Sequence, residues 1–412
     1  MMPHVSAMLS VHARDGSIRV TRRDIDWLST PPSPAVQFAY ATAVTEATSP
    51  PNATAQAVDC SVLVPVFNEE RYIERSVAAM RRQRFPGQLE FLFADGGSTD
   101  RTPEILDALA RQDSRIRVFE NPSRSVSSGL NVALRHARGR WVIRMDAHTE
   151  YPDDYVALGV RRLEQGGTRW VSGPPLPKGA GAVSRAVALA LASRLGRGGS
   201  RKWGEQRVGD EWELDAGVFD GVWERTTLFE YGGWDERWTR NEDSEMAGRF
   251  VARGERLICL SAMAAEYMPR DSLAGLWRQY LAYGEYRTKT AARHPHTMRA
   301  SHLLAPAIVL DAGLAICGPR RTRPAARAGL RLYVGVLAYA GVRALPRAEP
   351  ASDALLVPGV LAIMHFAHGL GMLVGAVRHG PPLAALASVA GLDRLAESVV
   401  PEPEPVFAPS LG

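Results

Sequence analysis

Leu89-Glu90-Phe91-Leu92-Phe93-Ala94-Asp95-Gly96-Gly97-Ser98-Thr99-Asp100 passes from a β-rich apolar run into a glycine turn flanked by carboxylates. An apolar run of that length reads as a buried parallel strand, and open α/β sheets bind ligands beyond the carboxyl ends of such strands. Gly96 and Gly97 let the backbone approach a ligand closely, while Asp95 can accept hydrogen bonds from a base or sugar edge. For the hexapeptide 95–100 alone, an ordinary strand-turn-helix junction with Ser98 or Asp100 as N-cap is an equal reading. The surrounding sequence must decide.

Working outward, Cys60-Ser61-Val62-Leu63-Val64-Pro65-Val66 is a second buried strand, followed by a helix between Glu70 and Arg84 on the stripe Ile73, Val77, Met80. Thr102-Pro103-Glu104 predicts a helix start, with Thr102 as N-cap and Pro103 at the first helical position. Arg115 to Glu120 reads as a third strand, Ser127 to Arg138 as a helix ended by Gly139, and Trp141 to Met145 as a fourth strand running into Asp146-Ala147-His148. This alternation predicts a doubly wound, mostly parallel α/β sheet. Lys178 to Gly209 is looser, with a short helix expected around Val183 to Leu195 and part of it a mobile loop over the site. A helix from about Asp243 to Arg253 is closed by Gly254.

The 412 residues are 46% hydrophobic, which suits one large α/β domain with something added. Lysine and arginine number 49 against 44 acidic residues, and the net charge of +5 is too scattered for a nucleic-acid footprint. Cys60, Cys259 and Cys317 have no metal-type spacing and read as buried reduced thiols. His12, Arg14, Asp15 and Arg19 interrupt every early apolar run, so no signal peptide is expected and the catalytic part should stay cytoplasmic. Residues 1–58 read as a disordered N-terminal arm, rich in Pro, Ala and Thr toward its end. The further divisions expected are an α/β domain over 59–270, an interfacial amphipathic segment over 271–300, membrane helices over 301–380 and a tail over 381–412.

Five motifs now stand in order: Val64-Pro65-Val66-Phe67-Asn68-Glu69-Glu70, Asp95-Gly96-Gly97-Ser98-Thr99-Asp100, Asp146-Ala147-His148, Gly232-Gly233-Trp234-Asp235-Glu236 and Glu242-Asp243. In order and spacing, over roughly residues 60 to 270, the chain resembles the family-2 inverting glycosyltransferases of the type-A (GT-A) nucleotide-diphosphosugar-transferase fold. The resemblance implies that Glu69 and Asp95 hold the nucleotide, Asp95 at the base edge, with Arg124 assisting; a plain surface arginine is the alternative for Arg124. It places Asp146 and His148 at the family's Asp-x-Asp position, where the diphosphate is clamped through a divalent metal. The histidine departs from the usual aspartate, and imidazole favours Mn²⁺ over Mg²⁺. A loop histidine capping the turn Tyr151-Pro152-Asp153-Asp154 is the alternative for His148. Asp243 is the implied general base, taking the acceptor proton at a helix N-terminus that favours its ionised form; a capping carboxylate is the alternative. Processive members of the family carry Gln-x-x-Arg-Trp after the base, whereas Gln279 is followed at those places by Ala282 and Tyr283, which implies addition of one sugar per acceptor.

The last third is apolar. Ala354 to Val377 contains no Asp, Glu, Lys or Arg and is a good membrane span; Ala328 to Ala344 is a fair one. Leu303 to Cys317 is shorter and carries Asp311, so a re-entrant segment or a third span is expected. Two spans keep the basic loop Arg320 to Arg327 and the catalytic domain on one face. Leu273 to Arg287 suits a bilayer interface, a core helix being the alternative. Met364-His365-Phe366-Ala367-His368-Gly369-Leu370-Gly371-Met372 after Pro358 is similar to the membrane segment of succinoglycan-type exopolysaccharide glycosyltransferases. That resemblance implies an inner-membrane enzyme moving a hexose, with UDP-glucose the first candidate donor, to a polyprenyl-diphosphate-linked acceptor. A nicotinamide-dependent dehydrogenase is excluded by the missing Gly-x-Gly-x-x-Gly after the first strand. A non-catalytic, membrane-tethered sugar-nucleotide binder and a nucleotidyltransferase remain as alternatives.

Overall fold

The computed structural model describes residues 57–203 and 211–392, together with a short antiparallel pair, His12–Arg14 with Ser17–Arg19. The pair belongs to a separate unit, Met1–Gln56. Otherwise the expected arm lies outside the described residues, as do most of the expected tail and the end of the expected loop. Element labels below run within the unit Ala57–Gly412.

The expected strands form as β1 (Cys60–Val66), β2 (Leu89–Asp95), β3 (Ile116–Glu120) and β4 (Trp141–Arg144). Between them lie α1 (Ile73–Arg81), α2 (Thr102–Gln112) and α3 (Val126–His136). Short strands β5 (Thr149–Glu150), β6 (Trp170–Ser172) and β7 (Pro175–Pro177) follow, with α4 (Tyr155–Glu164) after β5. Then come α5 (Ala182–Leu191), α6 (Arg194–Arg197), β8 (Glu211–Leu214), β9 (Gly221–Glu224), α7 (Arg225–Glu230), α8 (Glu242–Ala252), β10 (Leu257–Leu260) and β11 (Ala265–Tyr267). The eight-stranded sheet runs β8-β10-β6-β9-β4-β1-β2-β3. It is mixed: β1 to β4 and the β6–β10 pair are parallel, whereas β9 runs antiparallel between β4 and β6, and β8 antiparallel beside β10. A small sheet, β5-β11-β7, sits beyond its carboxyl side.

Two apolar clusters sandwich the large sheet. One packs α1, α2 and α4 against Val62, Val64, Phe91, Phe93 and Ile143; the other packs α3, α7 and α8 against Leu63, Leu92, Val142 and Trp223. Successive strand residues thus alternate between the two faces, as a strand buried on both sides requires. Two local expectations need correction. Thr102 is the first helical residue, not the N-cap of α2, and its Oγ1 accepts from Glu69 N at 2.8 Å instead. Cys60 and Cys259 are buried, but Cys317 is exposed at the end of an apolar helix.

The C-terminal helices are α9 (Leu273–Arg293), α10 (Leu304–Cys317), α11 (Arg323–Ala344), α12 (Val357–His379) and α13 (Leu383–Val389). Three helical stretches, Ala300–Cys317, Arg323–Arg347 and Ala351–His379, are long and apolar enough to cross a membrane by length and composition; the first is the segment expected to be re-entrant or a third span. The first gains its length from a 3₁₀ turn, Ala300–Leu303, that continues directly into α10. Asp311 within it lies against α11, where a Cβ on Gly329 would meet its carboxylate at 2.8 Å.

α9 joins the α/β domain to these helices along α12. A Cβ at Gly284 would collide with the carbonyl of His368, and one at Gly371 with the carbonyl of Leu281. Thr288 Oγ1 donates to Met372 O at 3.1 Å, and Arg378 pairs with Glu285 at 3.1 Å. Small residues let backbones approach this closely. Gly371→Leu should therefore destabilise the protein by about 3 kcal/mol, read as a lowered melting temperature in detergent. Gly335→Leu, whose Cβ meets nothing within 4 Å, should leave melting unchanged.

Candidate active site

The loops after β1 and β2 brace one another. Asn68 takes the left-handed conformation at φ 57°, its N–H donates to Ser98 Oγ at 2.9 Å, and its Oδ1 accepts from Thr99 N at 2.8 Å. Asp100 accepts from Glu70 N at 3.1 Å, and Glu70 accepts from Arg101 N at 3.1 Å. Asp95 closes β2, where its Oδ1 accepts from Ser98 Oγ at 2.6 Å and Ser98 N at 3.1 Å. The cap reading for Ser98 is thus answered locally: it tightens the turn under Asp95. Gly97, at φ 75°, lies beneath Arg124, whose Nε would be 3.5 Å from a Cβ there. Asp95 and Arg124 therefore stand together at the end of β2, with Asn121 N donating to Asp95 O at 2.7 Å to fold the Arg124 loop inward.

A second group lies two strands away, at the end of β4. Arg144, its side chain 6% exposed, reaches Asp146 at 3.0 Å, Asp243 at 2.7 Å, Glu242 at 3.0 Å and Asp220 at 3.4 Å. These carboxylates come from the β4 end, the segment before β9 and the first turn of α8. Asp220 also accepts a very short hydrogen bond from Tyr151 OH, which in turn accepts from Asp146 N at 2.8 Å. Burial, reinforced by the Asp146 charge, holds the Asp220 carboxyl well above the usual range, against the pull of Arg144. Asp146 is held below its ordinary value: burial opposes ionisation, but Arg144 and then His148 outweigh it.

Asp243 sits in the first turn of α8 and makes no cap hydrogen bond there. Its Oδ1 accepts from Arg144 and, at 3.4 Å, from Trp234 Nε1. Burial, moderated by Arg144 and reinforced by Glu242 and Asp146, pushes its carboxyl up to about 6. A carboxylate so placed is ionised at neutral pH yet more basic than a free aspartate, as a general base requires. The Gly232–Glu236 motif supports it: Asn131 clasps the Trp234 backbone at 2.7 and 2.9 Å, setting the indole beside Asp243.

Glu69 stands in the loop after β1, and its Oε1 contacts His148 Nδ1 at 3.2 Å. Burial disfavours the charged ring of His148, but the bond to Glu69 and the charge of Asp146 prevail and raise its pKa. A histidine whose Nδ1 is fixed by a carboxylate presents Nε2 outward, the arrangement that orients metal-binding imidazoles. Among the described residues no three His, Cys, Asp or Glu side chains converge as a metal cage. Asp146 and His148 would supply a carboxylate oxygen and an imidazole nitrogen to a cation there, whose remaining ligands would have to come from outside the described residues.

Residues 61–206 match the model of Glycosyl transferase family 2. The chain carries a family-2 glycosyltransferase domain. It is 29% identical over 337 residues to succinoglycan biosynthesis protein ExoA of Rhizobium meliloti, a match covering 80% of this chain and 90% of that one. It is 22% identical over 237 residues, 54% of this chain and 71% of the other, to a Methanococcus voltae dolichyl N-acetyl-alpha-D-glucosaminyl phosphate 3-beta-D-2,3-diacetamido-2,3-dideoxy-beta-D-glucuronosyltransferase. Among solved structures, a mannosyltransferase from Pyrobaculum calidifontis in complex with GDP-Man and Mn²⁺ aligns with TM-score 0.47 and 21% identity, covering 81% of this chain and 94% of that one. The chain is thus similar to a succinoglycan biosynthesis protein along most of its length.

Arg144, Asp220 and Tyr151 form the hub of the site and were not singled out from sequence. An arginine closing the otherwise apolar strand Trp141-Val142-Ile143 was the available signal, because a charge at a buried strand end needs partners.

Proposed function

We propose that the protein is a membrane-associated inverting glycosyltransferase that moves a hexose from a nucleotide-diphosphate sugar, UDP-glucose first among candidates, to a polyprenyl-diphosphate-linked acceptor in exopolysaccharide or cell-surface glycan synthesis. The observation that carries this reading is the Asp243 carboxyl, pushed up to about 6 and hung on Arg144 beside Asp146. Asp95 and Arg124 bind the nucleotide. Glu69 sits beside that nucleotide site and fixes the ring of His148 through its Oε1. Asp243 accepts the proton of the acceptor hydroxyl as its oxygen bonds to the anomeric carbon; the bond to the diphosphate breaks on the opposite face, and the sugar centre inverts. A divalent metal held by Asp146 and His148, Mn²⁺ favoured over Mg²⁺, would neutralise the departing diphosphate. With α10 re-entrant and α11 and α12 as a hairpin, the Arg320–Arg327 loop and the catalytic domain share the cytoplasmic face of the inner membrane.

The test is nucleoside-diphosphate release by detergent-purified protein from a panel of nucleotide sugars, with Mn²⁺ and a bacterial polyprenyl-diphosphate-sugar extract. Release that requires the extract supports the reading. Release indifferent to the extract, or none with any donor, would sink it. Because the base works only when ionised, kcat/KM should fall about tenfold per pH unit below about 6 and be flat from there toward neutrality. An acid limb near pH 4 would show that Asp243 titrates as an ordinary carboxyl.

A further inference from the structure

Behind Asp243, where α9 meets the 3₁₀ turn that starts the next helix, positive charge gathers without matching negative charge. Lys202, on the short turn Arg201–Trp203, makes one hydrogen bond among the described residues, Nζ to Val218 O at 3.2 Å. Arg287, on the α9 face near Gly284 and Thr288, makes no hydrogen bond or ion pair among the described residues. Arg299 pairs with Asp215, and its Nη2 lies 3.0 Å from His302 Nε2, while its Nε is buried without a partner among the described residues. Among the described residues Asp215 is the one carboxylate ion-paired with any of these three cations.

Burial, reinforced by the charge of Arg287, pushes Lys202 down to about 8, and burial, reinforced by the charge of Arg299, pushes Arg287 to about 10. Asp243 and Asp220 pull Lys202 the other way, which places the ammonium within electrostatic reach of the catalytic base. Partly buried cations in excess of their carboxylate partners are costly to bring together, and an anion bound among these half-buried groups would relieve that repulsion. The apolar helices begin at the same place: His302 opens the stretch Ala300–Cys317, and a Cβ on Gly284, one turn before Arg287, would strike α12.

We propose that Lys202, Arg287 and Arg299 form a binding site for the diphosphate of a prenyl-diphosphate-linked acceptor, holding it beside Asp243 with its hydrocarbon chain along the apolar helices. The inference rests on the lipid-linked acceptor proposed above and names the groups that would recognise it. Phosphate oxygens take charge-assisted bonds from guanidinium and ammonium groups. The acceptor sugar, attached to the far phosphate, then extends toward Asp243.

The experiment measures binding of geranylgeranyl diphosphate, geranylgeraniol and inorganic diphosphate to the full chain in detergent, with UDP-glucose as a separate ligand. Geranylgeranyl diphosphate should bind at least tenfold more tightly than either geranylgeraniol or inorganic diphosphate. Arg287→Gln should weaken it about tenfold with UDP-glucose affinity and melting temperature unchanged, and Arg287→Lys should recover most of the loss. Lys202→Gln serves if Arg287→Gln does not fold. Unchanged affinity for geranylgeranyl diphosphate in a folded variant would overturn the proposal. So would weakened UDP-glucose binding, which would assign the cluster to the donor. Inorganic diphosphate binding as tightly as the prenyl form would overturn the lipid source while leaving an anion site. These are equilibrium readings, so they stand even if no transfer is detected, which would count against the proposed reaction instead.

Discussion

Asp243→Asn is expected to lower kcat for sugar transfer by roughly 10²–10⁴-fold with little change in the affinity for the nucleotide sugar. The amide keeps the size of the side chain and can still accept from Arg144 and Trp234 through its oxygen, but it cannot take the acceptor's proton. Because the native carboxyl is raised to about 6, mainly by burial, its ionised form is strained in the fold at neutral pH. Removing that charge should leave thermal stability equal or higher. The variant's residual rate should also lose the acid limb near pH 6. A variant that turned over like wild type would exclude Asp243 as base; one that lost donor affinity in proportion to rate would make it a binding residue.

Arg144→Met should unfold or severely weaken the domain. Arginine's planar fork serves several carboxylates at once, at 2.7 to 3.4 Å here, and methionine serves none. Breaking a buried ion pair by removing one partner costs about 3–5 kcal/mol, because the remaining charges stay buried. The contribution of Asp146 to the pH dependence should reverse in sign. In the native protein the lowered Asp146 carboxyl contributes stability that is present above its unfolded value and lost as pH falls through its lower folded value. Without Arg144 the buried Asp146 carboxyl rises above its unfolded value and joins Asp220 and Asp243, which are already raised in the native fold, so between pH 7.5 and 5.5 the variant should gain more stability on acidification than the native protein does. Thermal melts of both proteins at these two pH values check this. A variant as stable as the native protein at pH 7.5 would mean that water already screens the cluster.

The parts of the fold legible in sequence are those with a repeating pattern. The strands Cys60–Val66 and Leu89–Asp95 are continuous apolar runs, and α1 carries its stripe at Ile73, Val77 and Met80, so each could be placed within a few residues. β6 and β7 have three residues each and β5 has two, which is too short for any period to show. β9 enters the sheet antiparallel, a direction that hydrophobic pattern does not encode. Single site residues were visible as carboxylates at strand and helix ends. Their partners were not: Arg144 and Asp243 are 99 positions apart, and Glu69 and His148 are 79 apart. Thr102 shows the same limit on a small scale, since a distant backbone N–H claimed the hydroxyl that local spacing assigned to a cap.

The seam between α9 and α12 carries a further consequence. Two helices that touch through glycine backbones and are pinned by Thr288 and Glu285 cannot slide past one another without losing both bonds. If α12 is anchored in a bilayer, α9 holds the catalytic domain at a set standoff from that surface. For the acceptor and base proposed above, the domain would then behave as a depth gauge: an acceptor hydroxyl would be usable when its stem lifts it to Asp243, so reach, as well as sugar identity, would select what is extended.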